Sequence, residues 1–389
     1  MRVSVATELR ILRSCDGTYF APFGMGTEFW QRYQEVFEQV RVIARCDAAV
    51  GTVPEGWSPL AGEGLEIAEL DPYRSPTEYL VKRRSRYRLL RGLLVAGPCI
   101  VRCPGIVARD AINARASTGE PVALEVVGDP DTALAPGAAE VPARRFARRA
   151  LSRNLRSACA NADAVAYVTA RTLQRKYPPR PGAVTSAYSS ISLPDRWFER
   201  RLRGVETAPA GHLLTVASLE QPYKGIDVLL RALSIVRRSV PSIRLDVIGG
   251  GRLLPLYQRM AGELRLDDVV SFHGLKPRDE VRQFLLNADI FVLASRSEGL
   301  PRAMIEALAV GVPCIGTNAG GIPELLPADA MCAPGAVDDL ARLVTRCVRD
   351  DAWRGELVDG GRLVAEQYRA ENVRRCRIEF LHRVRELNE

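Results

Sequence analysis

The sequence predicts two doubly wound α/β domains, and three observations predict them. Short apolar runs alternate with helix-period patterns along almost the whole chain, which is how parallel sheets covered by helices are written. The alternation restarts after a linker-like stretch, Gly204 to Gly211, with Pro209 inside it. The chain's 389 residues, 47% of them hydrophobic, suffice to bury two cores. In the first half, Val3 to Ala6, Val40 to Ala44, Cys99 to Arg102, Ala123 to Val127 and Ala164 to Val168 read as strands. In the second, Leu213 to Ala217, Arg244 to Ile248, Val269 to Phe272, Ile290 to Leu293 and Cys314 to Gly316 read as a new parallel sheet. The resulting division is an N-terminal domain over 1–205, a second domain over 206–370, and a charged amphipathic helix over 371–389.

No apolar run reaches the roughly 18 to 20 residues of a membrane span. Met1 to Ser14 carries Arg2, Glu8, Arg10 and Arg13 where a signal peptide would have an uninterrupted apolar core, so a cytoplasmic protein is expected. Nine cysteines are scattered without metal-ligand spacing, the close pair being Cys99 and Cys103; they read as reduced, buried thiols, with no metal site. The net charge of +8 is uneven. Residues 1–205 hold 30 Lys and Arg against 21 Asp and Glu, while 206–389 hold 24 against 25. Two clusters supply the surplus: Lys82 to Arg91, and Arg144 to Arg156 with Arg145, Arg149, Arg153 and Arg156 on one helical face beside Phe146 and Leu151. That face suits peripheral contact with an anionic inner membrane surface, or simply a solvated helix. The clusters lack interleaved aromatics and sit in no nucleic-acid module, which argues against nucleic acid as a partner.

The most informative stretch is 295–326. The run Ile290-Phe291-Val292-Leu293 reads as a buried parallel strand, a loop with Glu298, Gly299 and Leu300 follows, and Pro301 is placed to begin a helix. Unpaired N–H groups and the positive dipole end of that helix suit a diphosphate; Gly299 lets a ligand approach, and Glu306 sits where a carboxylate could hold ribose hydroxyls. Gly311 and Pro313 close the helix before the next strand.

This segment, with two glutamates eight apart, Glu-Gly-Leu-Pro, Glu-Ala-Leu-Ala, Gly-Val-Pro and Gly-Gly-Ile-Pro-Glu in that order, resembles the donor-site signature of the family-4 retaining glycosyltransferases, which have the GT-B fold. The resemblance implies two Rossmann-like domains facing across a cleft, acceptor bound by the first, a UDP- or GDP-linked sugar by the second, and a C-terminal helix crossing back. It implies retention, with neither metal nor cofactor. Lys224, at the turn after the first strand of the second half, matches the family's lysine on the leaving phosphate, and Glu298 would hold sugar hydroxyls. Many relatives carry an arginine six positions before that lysine. Here the residue is Ser218, so a second clamp would fall to Arg252 or Arg302.

Gly249 and Gly250 end a strand where open α/β sheets bind ligands. By the resemblance, His273, Gly274 and Leu275 lie beside the base, and the family's N-terminal glycine turn corresponds to Gly24 and Gly26. The family's histidine after a middle strand is absent, which leaves Asp129 as a candidate facing sugar or acceptor, or else as a turn cap before Pro130. A hexosyltransferase acting on a glycan, lipid-linked or small-molecule acceptor is therefore expected, with a nucleotide-sugar 2-epimerase as the alternative. Lysine is rare, four against fifty arginines, which points to a GC-rich bacterial genome and to cell-surface polysaccharide or secondary-metabolite synthesis.

Overall fold

A computed structural model describes residues 1–22, 24–49, 52–54, 56–73, 76–94, 96–133, 144–199 and 211–389. The linker-like stretch lies outside them except for Gly211, as does Phe23 beside the N-terminal glycine turn. The chain divides into two compact units: unit 1 comprises 1–128, 150–188 and 375–389, and unit 2 comprises 129–149 and 189–374. The chain thus passes into unit 2 at Ser189, upstream of the linker-like stretch, and returns at Arg375.

In unit 1 the described residues form one sheet from β1 (Arg2–Arg13), β2 (Tyr19–Ala21), β3 (Gln39–Ala48), β4 (Ser58–Pro59), β5 (Leu65–Leu70), β6 (Cys99–Cys103), β7 (Ala123–Val126), β8 (Ala164–Tyr167) and β9 (Val184–Ala187). Its parallel part runs β5-β3-β1-β6-β7-β8-β9, while β2 and β4 add antiparallel pairs at one end. All five strands read from the sequence are present, two of them much longer. Beyond Ala6, β1 leaves its partner β6, shifts register against β3, and pairs with β2 from Leu12. The helices Pro76–Leu93, Ile106–Ala116 and Arg144–Asn161 cover one face of the sheet, for Leu90, Ala111, Leu155 and Cys159 share a core with Ala6, Val101, Leu124 and Val165. The helix Thr27–Gln34 buries Trp30 and Tyr33. At the end of the chain, helix Ala370–Glu386 sets Arg377 Nη2 2.9 Å from Glu35 Oε1 and Phe380 edge-on to Tyr188.

Unit 2 holds β10 (His212–Val216), β11 (Arg244–Ile248), β12 (Val270–Phe272), β13 (Ile290–Leu293), β14 (Cys314–Thr317) and β15 (Met331–Cys332), all parallel, in the order β12-β11-β10-β13-β14-β15. β13 is apolar at every position because helices cover both faces of a parallel sheet. Each such side chain contributes about 1.5–3 kcal/mol on burial. The helix Ile226–Val236 buries Ile226, Leu229, Leu230, Leu233 and Val236, an apolar stripe of helical period. From β10 the chain crosses over to β11, and from β13 it leaves in the opposite direction, to β14. The carboxyl ends of β10 and β13 are therefore the topological switch point, where open α/β sheets bind ligands.

Candidate functional site

Two loops meet at that switch point. After β10, a single 3-10 turn, Pro222–Lys224, ends at Gly225, whose φ of +68° is left-handed. A side chain at Gly225 would overlap the Ala294 carbonyl, so glycine alone lets the turn lie against the end of β13. After β13, Ser295 to Pro301 lead into the helix Arg302–Val310, with Pro301 as its N-cap and not its first helical residue. Proline brings no capping side chain, so the first N–H groups of this helix receive no acceptor from it.

The two loops are joined by charge. Lys224 Nζ lies 2.6 Å from Glu298 Oε1, and the Ser295 hydroxyl donates to the same oxygen at 2.6 Å. Both partners are largely buried. A second link runs beside the first: Arg296 grips Asp227 through two parallel hydrogen bonds of 2.8 and 2.7 Å, and its own N–H donates to the Tyr223 carbonyl. Bidentate pairing of this kind fixes direction as well as distance. Thr317 on β14 donates to the Ser295 carbonyl at 2.5 Å, and the Gly321 N–H to the Gly299 carbonyl at 2.7 Å, which ties the Glu298 loop to its neighbour. The lysine and glutamate are therefore held by a frame of backbone and arginine contacts before any ligand arrives.

The rim is built at the end of β11. The Gly249 N–H donates to the Gly274 carbonyl at 2.8 Å, Gly250 lies against Leu275, and Leu275 is exposed. An exposed leucine beside bare glycine backbone is an apolar ledge suited to a flat ring.

These features coincide with a family signature. Residues 210–363 match the glycosyl transferases group 1 family. The Anabaena protein HepE, solved with UDP, superposes at a TM-score of 0.66 over 98% of this chain and 100% of its own, at 16% identity. The GT-B fold is shared over that 98% of the chain. Over residues 210–363 the chain is similar to the group 1 glycosyltransferases. Over 355 residues the chain is 24% identical to protein CapJ of Staphylococcus aureus, covering 90% of this chain and 88% of that one. It is 35% identical over 164 residues to a GDP-mannose-dependent alpha-(1-6)-phosphatidylinositol monomannoside mannosyltransferase of Mycobacterium tuberculosis H37Rv. That match takes in 40% of this chain and 41% of the relative.

The remaining expected residues lie in other surroundings. Glu306 does not join the Lys224 pair; its Oε1 accepts from Arg278 Nε at 2.9 Å, and Arg278 also stacks on Trp197. Burial pushes the Glu306 carboxyl above its usual range against the pull of Arg278. His273 turns toward the sheet: its Nε2 lies 2.8 Å from Asp246 Oδ1, while His212 Nε2 meets the other oxygen at 2.6 Å. Arg252 reaches back to the Lys224 loop, where its Nε donates to the Glu220 carbonyl, and Arg302 is exposed on the first turn of its helix. In unit 1, Gly24 has a left-handed φ of +76°, and Gly26 caps Thr27–Gln34 against Ser58. Asp129, counted in unit 2, is buried and its Oδ1 accepts the Asp131 N–H at 2.9 Å, the geometry of a turn cap.

Arg296, Asp227 and Ser295 went unread as a frame for the site. Arg296 and Ser295 stand within the signature itself, three positions or fewer before Glu298, and Asp227 follows Gly225 by two. A charged pair flanking two such motifs was the available signal. One measurement follows for Glu306. Glu306→Ala should weaken UDP or GDP binding by about ten- to a hundredfold, by removing a charge-assisted hydrogen bond worth about 1.5–3 kcal/mol. The melting temperature should fall little, since Arg278 is 38% exposed and can be rehydrated. Calorimetric titration checks this, and unchanged nucleotide affinity in the folded variant would leave Glu306 as a structural anchor for Arg278 only.

Proposed function

We propose that the protein is a retaining hexosyltransferase, moving a hexose-type sugar from a UDP- or GDP-linked donor to a hydroxyl of a glycan, lipid-linked or small-molecule acceptor, in the building of cell-surface polysaccharide. The observation that carries this reading is the Lys224–Glu298 pair at the switch point of unit 2, beside an uncapped helix N-terminus. A diphosphate placed there meets two positive ends. Lys224 exchanges its Glu298 partner for phosphate oxygens, and the N–H groups of Arg302 and its neighbours take the remainder. Glu298, released in part, turns its carboxylate to sugar hydroxyls. As the bond to the anomeric carbon lengthens, charge grows on the leaving phosphate, and these donors are already aimed at it. The acceptor, received by unit 1, attacks on the face the phosphate leaves, and the phosphate oxygen takes its proton. The charge stabilisation comes from the chain itself, which supports a reaction independent of added metal. Leu275 would carry the base, and Glu306 the ribose. The nucleotides named for relatives, in GDP-mannose and in the UDP held by HepE, support the choice of nucleotide.

The test is product analysis. With UDP-glucose, UDP-N-acetylglucosamine or GDP-mannose in excess EDTA, an α-linked product should form only when acceptor is present. Donor converted to its 2-epimer without acceptor would sink transfer in favour of epimerisation, and a β-linked product would remove retention.

The basic surplus supports a place at a membrane. No helix among the described residues is long and apolar enough to cross one. Helix Arg144–Asn161 exposes Phe146 beside Arg145, Arg149 and Arg153, and helix Pro76–Leu93 exposes Val81 and Leu89. Arg86 is an exception within its cluster, being 1% exposed. Basic residues near an anionic surface contribute about 1 kcal/mol each and are screened within about 8–10 Å at physiological salt. Co-sedimentation with anionic vesicles should therefore be strong at low salt, collapse at high salt, and be lost on changing Arg145, Arg149 and Arg153 to Glu. Equal, negligible pelleting with anionic and neutral vesicles would favour a soluble acceptor.

A further inference from the structure

Unit 1 has a switch point of its own. β1 pairs with β6 from Ser4 to Ala6 and then departs, and Glu8, the second residue past that point, sits opposite the helix Ile106–Ala116. Its carboxylate accepts the Val107 N–H at the start of this helix. Gly105 makes room for it, since a side chain at Gly105 would overlap Glu8. Around this point gather Arg45 from β3, Arg86 from helix Pro76–Leu93, Asp110 and Tyr73. The guanidinium carbons of Arg45 and Arg86 lie 4.8 and 4.7 Å from the Tyr73 ring centre.

The cluster is incompletely satisfied. Arg86 is 1% exposed, yet among the described residues its Nε and Nη1 have no hydrogen-bond partner, and its nearest carboxylate oxygen there, on Asp110, is 3.7 Å away. Arg45 Nε is buried and likewise without a partner among the described residues. A buried polar group without a partner costs about 1–3 kcal/mol, more when charged, so three such nitrogens around one tyrosine need an explanation. With Arg109, which touches Asp110, the cluster holds three cations against two carboxylates beside the positive end of a helix dipole. Burial also pushes the Glu8 carboxyl above its usual range, so its hold as an anion is weakened.

We propose that this cluster is a binding subsite for an oxyanion, a carboxylate or phosphate carried by the acceptor, which displaces the Glu8 carboxylate from the helix N-terminus and takes the free N–H groups of Arg45 and Arg86. The proposal rests on the reading of unit 1 as the acceptor-binding unit. Arg45, Glu8 and Arg109 are the solvent-accessible members, with 20%, 28% and 33% of their side chains exposed, and Arg86 forms the floor. The subsite selects a charged acceptor unit over a neutral sugar.

The experiment titrates the intact protein, without donor, with D-glucuronate, glycerol 3-phosphate and methyl glucoside, reading affinity by saturation-transfer NMR. UDP and GDP titrations on the same samples report unit 2 separately, so loss of nucleotide binding would count against the donor reading and not against this one. At least one anion should bind tenfold or more tightly than methyl glucoside; preference for glucuronate assigns a glycan carboxylate, and preference for glycerol 3-phosphate assigns a phosphate. Glu8→Gln should tighten anion binding several-fold, whereas Arg45→Gln and Arg86→Met should weaken it at least tenfold. If Arg86→Met does not fold, Arg45→Gln and Glu8→Gln decide. Equal binding of all three compounds, or anion affinity unchanged in Arg45→Gln and Glu8→Gln, would overturn the subsite.

Discussion

Lys224→Ala is expected to lower kcat by about 10²–10³ while weakening donor binding far less, the loss that follows removal of one donor aimed at developing charge. The reasoning starts from the resting pair. In the absence of donor, Lys224 is neutralised by Glu298 at 2.6 Å, so ground-state binding of a diphosphate trades one anionic partner for another. Only when negative charge accumulates on the leaving oxygen does the ammonium gain more than it gave up, and interactions that strengthen toward the transition state appear in kcat. The variant also leaves Glu298 with Ser295 as its remaining side-chain partner. A like charge facing the diphosphate then adds to the loss. Glu298→Gln in the Lys224→Ala background should recover part of the activity, because it removes that repulsion. Steady-state kinetics with the best donor checks both statements. A raised KM with unchanged kcat would mean that Lys224 anchors the ground state only.

What could be read from the sequence divides along physical lines. Ile290-Phe291-Val292-Leu293 announces a central parallel strand because covering on both faces demands an unbroken apolar run. Val184-Thr185-Ser186-Ala187, at the sheet edge, carries no such demand and was not read as a strand. The second half of β1, from Glu8 to Arg13, was equally unreadable, since its pairing with β3 and β2 leaves polar residues tolerated there. At the candidate site, Lys224 and the Glu298 loop were legible because glycine, proline and charge must sit at fixed offsets to shape a turn against a helix end. The Arg296–Asp227 grip was not, as it spans 69 residues and depends on how two strands lie side by side. Arg86 shows the opposite failure. Within a run of arginines nothing local distinguishes a buried member from solvated ones; only its packing against the adjoining rings of Tyr73 and Tyr79 does so.

Glu125→Ala is expected to destabilise unit 1 by about 3–5 kcal/mol, the range for breaking a buried ion pair from one side. Glu125 stands on β7 and is 3% exposed. Its carboxylate takes the Arg102 guanidinium, the Tyr33 hydroxyl at 2.8 Å, Arg32 at 3.4 Å and the Tyr188 hydroxyl at 2.9 Å. Removing it strands two buried cations and two hydroxyls, and because Arg32 and Tyr33 belong to the helix that follows Gly24 and Gly26, that glycine turn should loosen first. The same network sets a pH dependence. Burial alone would raise the Glu125 pKa, but Arg102, Arg32 and the tyrosine hydroxyls outweigh it and hold the carboxyl below its usual range. A group depressed in the folded state contributes stability that is fully present above its unfolded pKa, about 4.3, and is lost as pH falls through the lower folded value. Wild-type stability should therefore decline below about pH 4.3 more steeply than that of a Glu125→Gln variant, which begins less stable but lacks this titration. Urea unfolding followed across acidic pH by tryptophan fluorescence reads both slopes, and parallel curves for the two proteins would show that Glu125 is not held ionised by its partners.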